Sequence, residues 1–272
     1  MYIEVFLIGL FVGSFLNVLV DRLPRDESVI GGRSHCDKCK KILKLYDLIP
    51  LFSFLYLRGK CRYCRTPLSF YYPVVEMTTG ALFVLALKFT SEESLRNTSE
   101  VAEGLLRGGS LDFVIAGYYL FIISSLIVIF FTDLKYGIIP DKIIFPAIII
   151  SFSYLILNTQ YLILPHILSA VGASLFFLAL FLITKGRGMG FGDVKFSFLM
   201  GLVLGFPGIA IALYIAFLTG ALIGCILIVW KKKKLSGTKI PFGPFLVFGT
   251  VIALFFGEGI MQNILQFLRV SP

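Results

Sequence analysis

Eight runs of predominantly apolar residues dominate this chain, at roughly 2–20, 73–89, 112–132, 138–157, 161–184, 194–206, 208–230 and 243–268. A bilayer-spanning helix needs about 20 such residues, and lipid offers no partner to a backbone N–H or C=O. Runs of this kind therefore fold as transmembrane helices. The expected fold class is an all-α polytopic membrane protein with about eight helices. The run at 194–206 is the shortest and ends at Phe206-Pro207-Gly208. Composition agrees, with 57% hydrophobic and 15% charged residues and a mean hydropathy of +0.90. A soluble domain carries about 45–50% apolar and about a quarter charged residues, so a water-soluble enzyme is excluded, and so is a disordered chain. No basic region precedes the first run, and Asn17 and Asp21 stand where a secretory signal would place small residues. It reads as a retained helix.

Only residues 21–72 lie outside the apolar runs in a stretch long enough to fold alone. The expected organisation is a first helix over 1–20, a cytoplasmic loop over 21–72, and a membrane-embedded core of about seven helices over 73–272. The net charge of +9 reads as membrane topology and not as nucleic-acid binding, because Lys and Arg collect on the cytoplasmic ends of spanning helices. With the N-terminus outside, segments 21–72, 133–142, 185–195 and 231–242 face the cytosol and hold 21 of the 25 basic residues. The outer side keeps Lys88, Arg96, Arg107 and Arg269, and its 90–111 loop is acidic, with Glu92, Glu93, Glu100 and Glu103. Both termini are expected outside. Lys231–Lys234 is explained by anchoring of the seventh run.

Four of the five cysteines form Cys36-x-x-Cys39 and Cys61-x-x-Cys64, separated by 21 residues. Two such knuckles offer four thiolates from two tight turns, the signature of a tetrahedral zinc site. Paired disulfides are the rival reading, but the charge count places the loop in the reducing cytosol. Lys38, Lys40, Lys41, Lys60, Arg62 and Arg65 would offset the thiolate charge. Four sulfur ligands leave no open position, so the expected Zn2+ is structural. His35 reads as a loop residue beside Cys36, and Cys225, inside the seventh run, as packing.

Acids are scarce, eight Asp and eight Glu. Asp133, Asp141 and Asp193 each stand where an apolar run meets a minimal loop, and acids at membrane depth are functional candidates by default. Helix capping is the plainer explanation and suits Asp141, which follows Pro140. Asp133 and Asp193, however, fall at the same cytosolic depth, and Gly188, Gly190 and Gly192 permit close approach of another backbone to Asp193. Two carboxylates held together in a partly dry site share one proton. One then activates water while the other polarises a peptide carbonyl, as in aspartic proteases.

The chain resembles the type IV prepilin peptidases, membrane aspartic proteases with a GxGD motif. The matches are Gly13-Ser14-Phe15-Leu16-Asn17-Val18 with Arg22-Leu23-Pro24, the two CxxC knuckles, and Tyr72-Pro73-Val74-Val75-Glu76 with Thr79-Gly80. They continue with Asp133-Leu134 through Ile139-Pro140-Asp141, Gly190-Phe191-Gly192-Asp193-Val194-Lys195, and Lys239-Ile240-Pro241-Phe242-Gly243-Pro244-Phe245. The resemblance implies a catalytic pair Asp133 and Asp193, with Asp141, Gly190, Gly192 and Lys195 in support. It implies a multi-pass protein of the bacterial inner membrane with its site facing the cytosol. The implied substrates are type IV prepilins and the pseudopilins of type II secretion, cut after the Gly that ends a basic leader. Members with a cysteine loop also methylate the new N-terminal amine, with S-adenosylmethionine as donor. No Rossmann-type pattern supports that second activity here, and Glu76 and Gly80 are its weak candidates. For Glu76, an acid satisfied at the cytosolic interface is the competing reading.

Glu4, Glu258 and His166 read as interfacial or packed groups near the outer surface, and Gly201, Gly205, Gly208, Gly220 and Gly224 as close-packing positions. Two other function classes compete. A proton- or ion-coupled transporter with a zinc-stabilised loop would want an internal repeat and a midplane acid, and neither is present. A non-enzymatic zinc-loop adaptor would leave the two aspartates unexplained.

Overall fold

The computed structural model describes residues 2–29, 31–36, 38–98, 110–157, 163–186, 188–231 and 241–270. Eight α-helices account for most of them: α1 (Tyr2–Arg22), α2 (Phe52–Tyr56), α3 (Tyr71–Thr98), α4 (Ser110–Tyr136), α5 (Asp141–Leu157), α6 (Ile163–Ile183), α7 (Phe191–Lys231) and α8 (Gly243–Val270). Among the described residues the only β pairing is two isolated bridges, His35 with Ile42 and Lys60 with Pro67. The all-α membrane class holds. Six helices are long and apolar enough to cross a membrane by length and composition. Eight expected spans become six because α5 has only 17 residues and because the sixth and seventh apolar runs join in α7.

The joint in α7 has a local cause. Gly205 (φ 60°) and Phe206 (φ −97°, ψ 135°) leave helical geometry, and Pro207 has no N–H to continue the ladder. Gly205 adopts the left-handed φ that a side chain disfavours. A Cβ there would also stand 2.8 Å from the His166 ring. The break frees the Leu202 carbonyl, which accepts a hydrogen bond of 2.8 Å from His166 Nδ1 on α6. The histidine expected to be merely packed thus replaces a lost helical bond.

Helix α3 also differs from expectation. It runs to Thr98, past the expected end at 89, because Glu92, Glu93, Leu95 and Arg96 favour helix and no Gly or Pro intervenes before Gly104. The rest of the 90–111 loop, like Lys232–Lys234, lies largely outside the described residues.

Two compact units divide the chain, Met1–Phe131 and Thr132–Pro272. In the first, α1 packs on α3 through small residues. A Cβ at Gly9 would stand 2.6 Å from Gly80 Cα, and one at Gly13 2.7 Å from Glu76 Cα. In the second, α7 packs against α5, α6 and α8. There Gly201 faces the Ala170 backbone so closely that an added Cβ would overlap it. Gly201→Ala must therefore force α6 and α7 apart. The expected cost is about 1–3 kcal/mol, measurable as a lower melting temperature in detergent. Large apolar residues such as Phe11, Phe15, Leu168, Leu175, Leu218 and Leu222 stay exposed, as faces turned to lipid do.

Candidate functional site

The cysteine loop builds two copies of one turn. In the first, Cys36 N–H donates to Lys41 C=O (3.0 Å) and Lys40 N–H to Cys36 C=O (2.8 Å). In the second, Cys61 N–H donates to Thr66 C=O (2.9 Å) and Arg65 N–H to Cys61 C=O (2.9 Å). Lys40 and Arg65, the residues after each second cysteine, share a left-handed φ of 54° and 55°. The four sulfurs lie within 4.8 Å of one another, and Cys36 Sγ is 3.8 Å from Cys64 Sγ. Four thiolates about 2.3 Å from one tetrahedral zinc would sit about 3.8 Å apart, so the set fits a metal ion. The Thr66 hydroxyl and backbone bring the Cys64 thiol down to about 6; against a Lys41 backbone bond that lowers it, burial and the Cys64 and Cys36 thiols push Cys39 up to about 11. Beside the cluster, Arg62 Nε pairs with Asp47 Oδ1 at 2.6 Å and its guanidinium covers the Tyr46 ring at 4.7 Å. That hydrogen bond to Asp47 raises the Arg62 pKa.

Glu76 reaches from α3 into this loop. Its Oε2 accepts the Leu51 N–H at 2.8 Å, and the Ser14 side chain bonds it as well. Glu76 is thus a buried acid that ties loop, α1 and α3 together. Gly80 lies one turn along, in the α1 crossing, against Phe6 and Gly9. Asn17 also lies in this region: its Nδ2 donates to the Tyr72 carbonyl at 3.2 Å, while its buried Oδ1 has no partner. Asn17 carried no expected role, although it stands in the opening motif.

The second unit gathers the remaining candidates. Gly137 (φ 67°) stops α4, its N–H bonding the Asp133 carbonyl at 2.8 Å, a glycine C-cap. Asp133 is thereby left in the last full turn of α4. Asp193 occupies the first turn of α7, where its Oδ2 accepts the Gly190 N–H at 3.1 Å, one half of a capping box. Both residues keep only 6% of their surface exposed. Asp133 Oδ2 is buried with no hydrogen-bond partner. Gly192 lets Ile139 pack at the start of α7, since a Cβ there would come within 3.0 Å of Ile139 Cβ.

Asp141 and Lys195 meet each other. Lys195 Nζ lies 2.7 and 2.8 Å from the two Asp141 carboxylate oxygens, clamping the first turn of α5 to α7. Lys195 also covers the Phe145 and Phe191 rings at 5.5 and 5.3 Å. One neighbour of Asp133 was missed in sequence. Gly243, first in α8, passes Asp133 so closely that a Cβ would stand 2.5 Å from Oδ2. The Pro241-Phe242-Gly243-Pro244 run was the available signal, but nothing in it names its neighbour.

Residues 7–89 match the bacterial peptidase A24 N-terminal domain, and residues 120–225 match the type IV leader peptidase family. A prepilin leader peptidase/N-methyltransferase of Bacillus subtilis (strain 168) is 33% identical over 94% of this chain and 95% of its own length. The chain belongs to the type IV leader peptidase family. A prepilin leader peptidase/N-methyltransferase of Legionella pneumophila is also 33% identical, over 96% of this chain and 93% of the relative. One from Aeromonas hydrophila is 31% identical over 95% and 91%. No solved structure matches the chain. As a type IV leader peptidase the chain is an enzyme and a multi-pass membrane protein, and the transporter alternative falls.

Proposed function

We propose that Asp133 and Asp193 are the proton-sharing pair of an aspartic endopeptidase that removes the basic leader of type IV prepilins and pseudopilins, cutting after Gly. Two buried carboxylates at the cytosolic ends of separate helices, one with an unpartnered oxygen against which Gly243 packs, carry this reading. In such a pair the ionised partner takes a proton from water as the water oxygen bonds to the scissile carbonyl carbon. The protonated partner donates to the carbonyl oxygen. Breaking the C–N bond then returns a proton to the departing amine. Asp193 already accepts the Gly190 N–H, so in this reading Asp133 is the partner that takes the proton from water. Gly192, Asp141 and Lys195 position the start of α7, and the Gly190 N–H holds the Asp193 carboxylate.

The same reading puts the pair at the cytosolic face of the cytoplasmic membrane, both chain termini outside. A basic leader then waits in the cytosol while the apolar pilin helix lies in lipid. Zinc, held by Cys36, Cys39, Cys61 and Cys64, stabilises the loop. The new amine is methylated in a second reaction, for which bound S-adenosylmethionine supplies an electrophilic methyl group. Glu76 serves that reaction, and Gly80 serves it through the helix crossing.

Incubating the purified protein with a prepilin in detergent tests the reading, with mass spectrometry of the product. Cleavage after the leader Gly and a mass increment of one methyl are expected; an intact prepilin refutes the peptidase. Gly243→Ala pushes a methyl into the Asp133 carboxylate. It is expected to lower kcat by about a hundredfold, as misplacement of a catalytic group by about 1 Å does. An unchanged kcat would show that α8 does not bound the site.

A further inference from the structure

The cysteine loop carries several of its large apolar residues outward. Leu45 keeps 87% of its surface, and Phe52, Leu55, Tyr56 and Phe70 keep between 71% and 75%. Phe52, Leu55 and Tyr56 stand at i, i+3 and i+4 of α2 and so share one face of it. The other side is occupied: Phe54 meets the Phe70 ring edge-on at 5.2 Å, and a Cβ at Gly59 would stand 3.1 Å from the Phe54 ring. The 3-10 turn Leu45–Leu48 packs against α2 as well. Contiguous open apolar surface marks an interaction site. We propose that this face docks on the membrane: α2 lies in the headgroup–acyl boundary of the bilayer that α1 and α3 cross, and the basic residues around it gather anionic lipid.

The height of α2 along the first unit selects lipid as the occupant. The end of α1 and the start of α3 lie together: Asn17 Nδ2 donates to the Tyr72 carbonyl, and Tyr72 Oη to Asp21 Oδ2 at 3.0 Å. The loop between them is therefore held where both helices meet the membrane surface. Leu51, just before α2, donates its N–H to Glu76 Oε2 at 2.8 Å. Glu76 stands five residues into α3, about 7.5 Å along a helix axis, within the apolar span Tyr71–Thr90. The start of α2 thus lies beside the first turns of a spanning helix. Phe70, Val74 and Met77 follow at i, i+4 and i+7, all exposed, so the patch continues onto an open stripe of α3. Charge fits the same occupant. Segment 21–72 holds eleven Lys and Arg against five Asp and Glu. Lys44 precedes Leu45, Arg58 and Lys60 follow α2, and all three are exposed. Cations that flank an apolar helix face rest among anionic headgroups.

Trp230 is the only tryptophan, so Phe52→Trp and Leu55→Trp, each in a Trp230→Phe background, report one place apiece. The full chain is reconstituted in vesicles of phosphatidylcholine and phosphatidylglycerol, with or without bromine on the acyl chains. An interfacial helix buries its apolar face about 5–10 Å into the headgroup–acyl boundary, so each tryptophan should lose at least about half of its emission to brominated lipid. Each should also be shielded from acrylamide in the water. Bromine carried by phosphatidylglycerol should quench more than bromine carried by the same mole fraction of phosphatidylcholine. Metal content and a monodisperse elution profile report that each variant is folded, and Leu55→Trp stands in should Phe52→Trp fail that check. Emission untouched by brominated lipid and open to acrylamide would show a face in water. Emission reached by neither quencher would show a face covered by protein, a second copy included. Either result overturns the docking surface, and equal quenching by the two brominated lipids overturns its anionic preference.

Discussion

Asp133→Asn and Asp193→Asn, made singly, are each expected to cut prepilin cleavage by about a hundred- to ten-thousandfold, the range that a positioned acid or base contributes. Asparagine keeps the shape of aspartate, so both variants should keep their helices. At Asp193 the amide oxygen can still accept the Gly190 N–H that now reaches Oδ2. At Asp133 the side chain still fits beside Gly243, which approaches too closely for anything larger. What each variant loses is the proton that the pair exchanges. Removing either partner removes the exchange, so the double variant should be no worse than the single ones. Retained cleavage in either single variant would dismiss the two-aspartate mechanism. Methylation of a synthetic, already processed pilin should survive both changes, because Glu76 and the cysteine loop belong to the first unit.

Loss of one buried ligand should dismantle the cysteine loop. Cys61 keeps 3% of its surface, and its backbone closes the second turn on both sides. Cys61→Ala should reduce bound metal from about one equivalent to near zero, because a site with three sulfurs no longer closes a tetrahedron. Structural zinc in small finger peptides contributes about 10–16 kcal/mol of apparent folding energy, and the loop has little core to replace it. Trypsin should then cut at Arg58, Lys60, Arg62 and Arg65, while the helical circular-dichroism signal of the spanning segments holds. Cys225→Ala is the control: it is exposed on α7 and outside the sulfur cluster, and it should change neither metal content nor proteolysis. A metal-loaded, protease-resistant Cys61→Ala would refute the metal's structural role.

Spans, knuckles and aspartates were legible because each is a local pattern. Twenty apolar residues make a span wherever they stand. The two CxxC turns showed their kinship in spacing, though not the shared left-handed Lys40 and Arg65 that make them copies. The α7 break was visible as Phe206-Pro207-Gly208, but its repair by His166 was not, because the bond joins residues 36 apart. Asp141 and Lys195 were grouped by motif as supports of the pair. That they bind each other is a fact of packing, across 54 positions.

Scarcity of acids in an apolar chain picked out Asp133 and Asp193 before any coordinate was known, since burying a carboxylate in a membrane protein is too costly to be incidental. Sequence also determined the class, the four cysteines that cluster and the family. The tertiary structure alone decided which atoms are left over. It showed Asp133 Oδ2 and Asn17 Oδ1 buried without partners, and Gly243 pressed against the first of them. The reason is physical: whether a polar atom is satisfied depends on every group within hydrogen-bonding reach, and those groups come from distant parts of the chain.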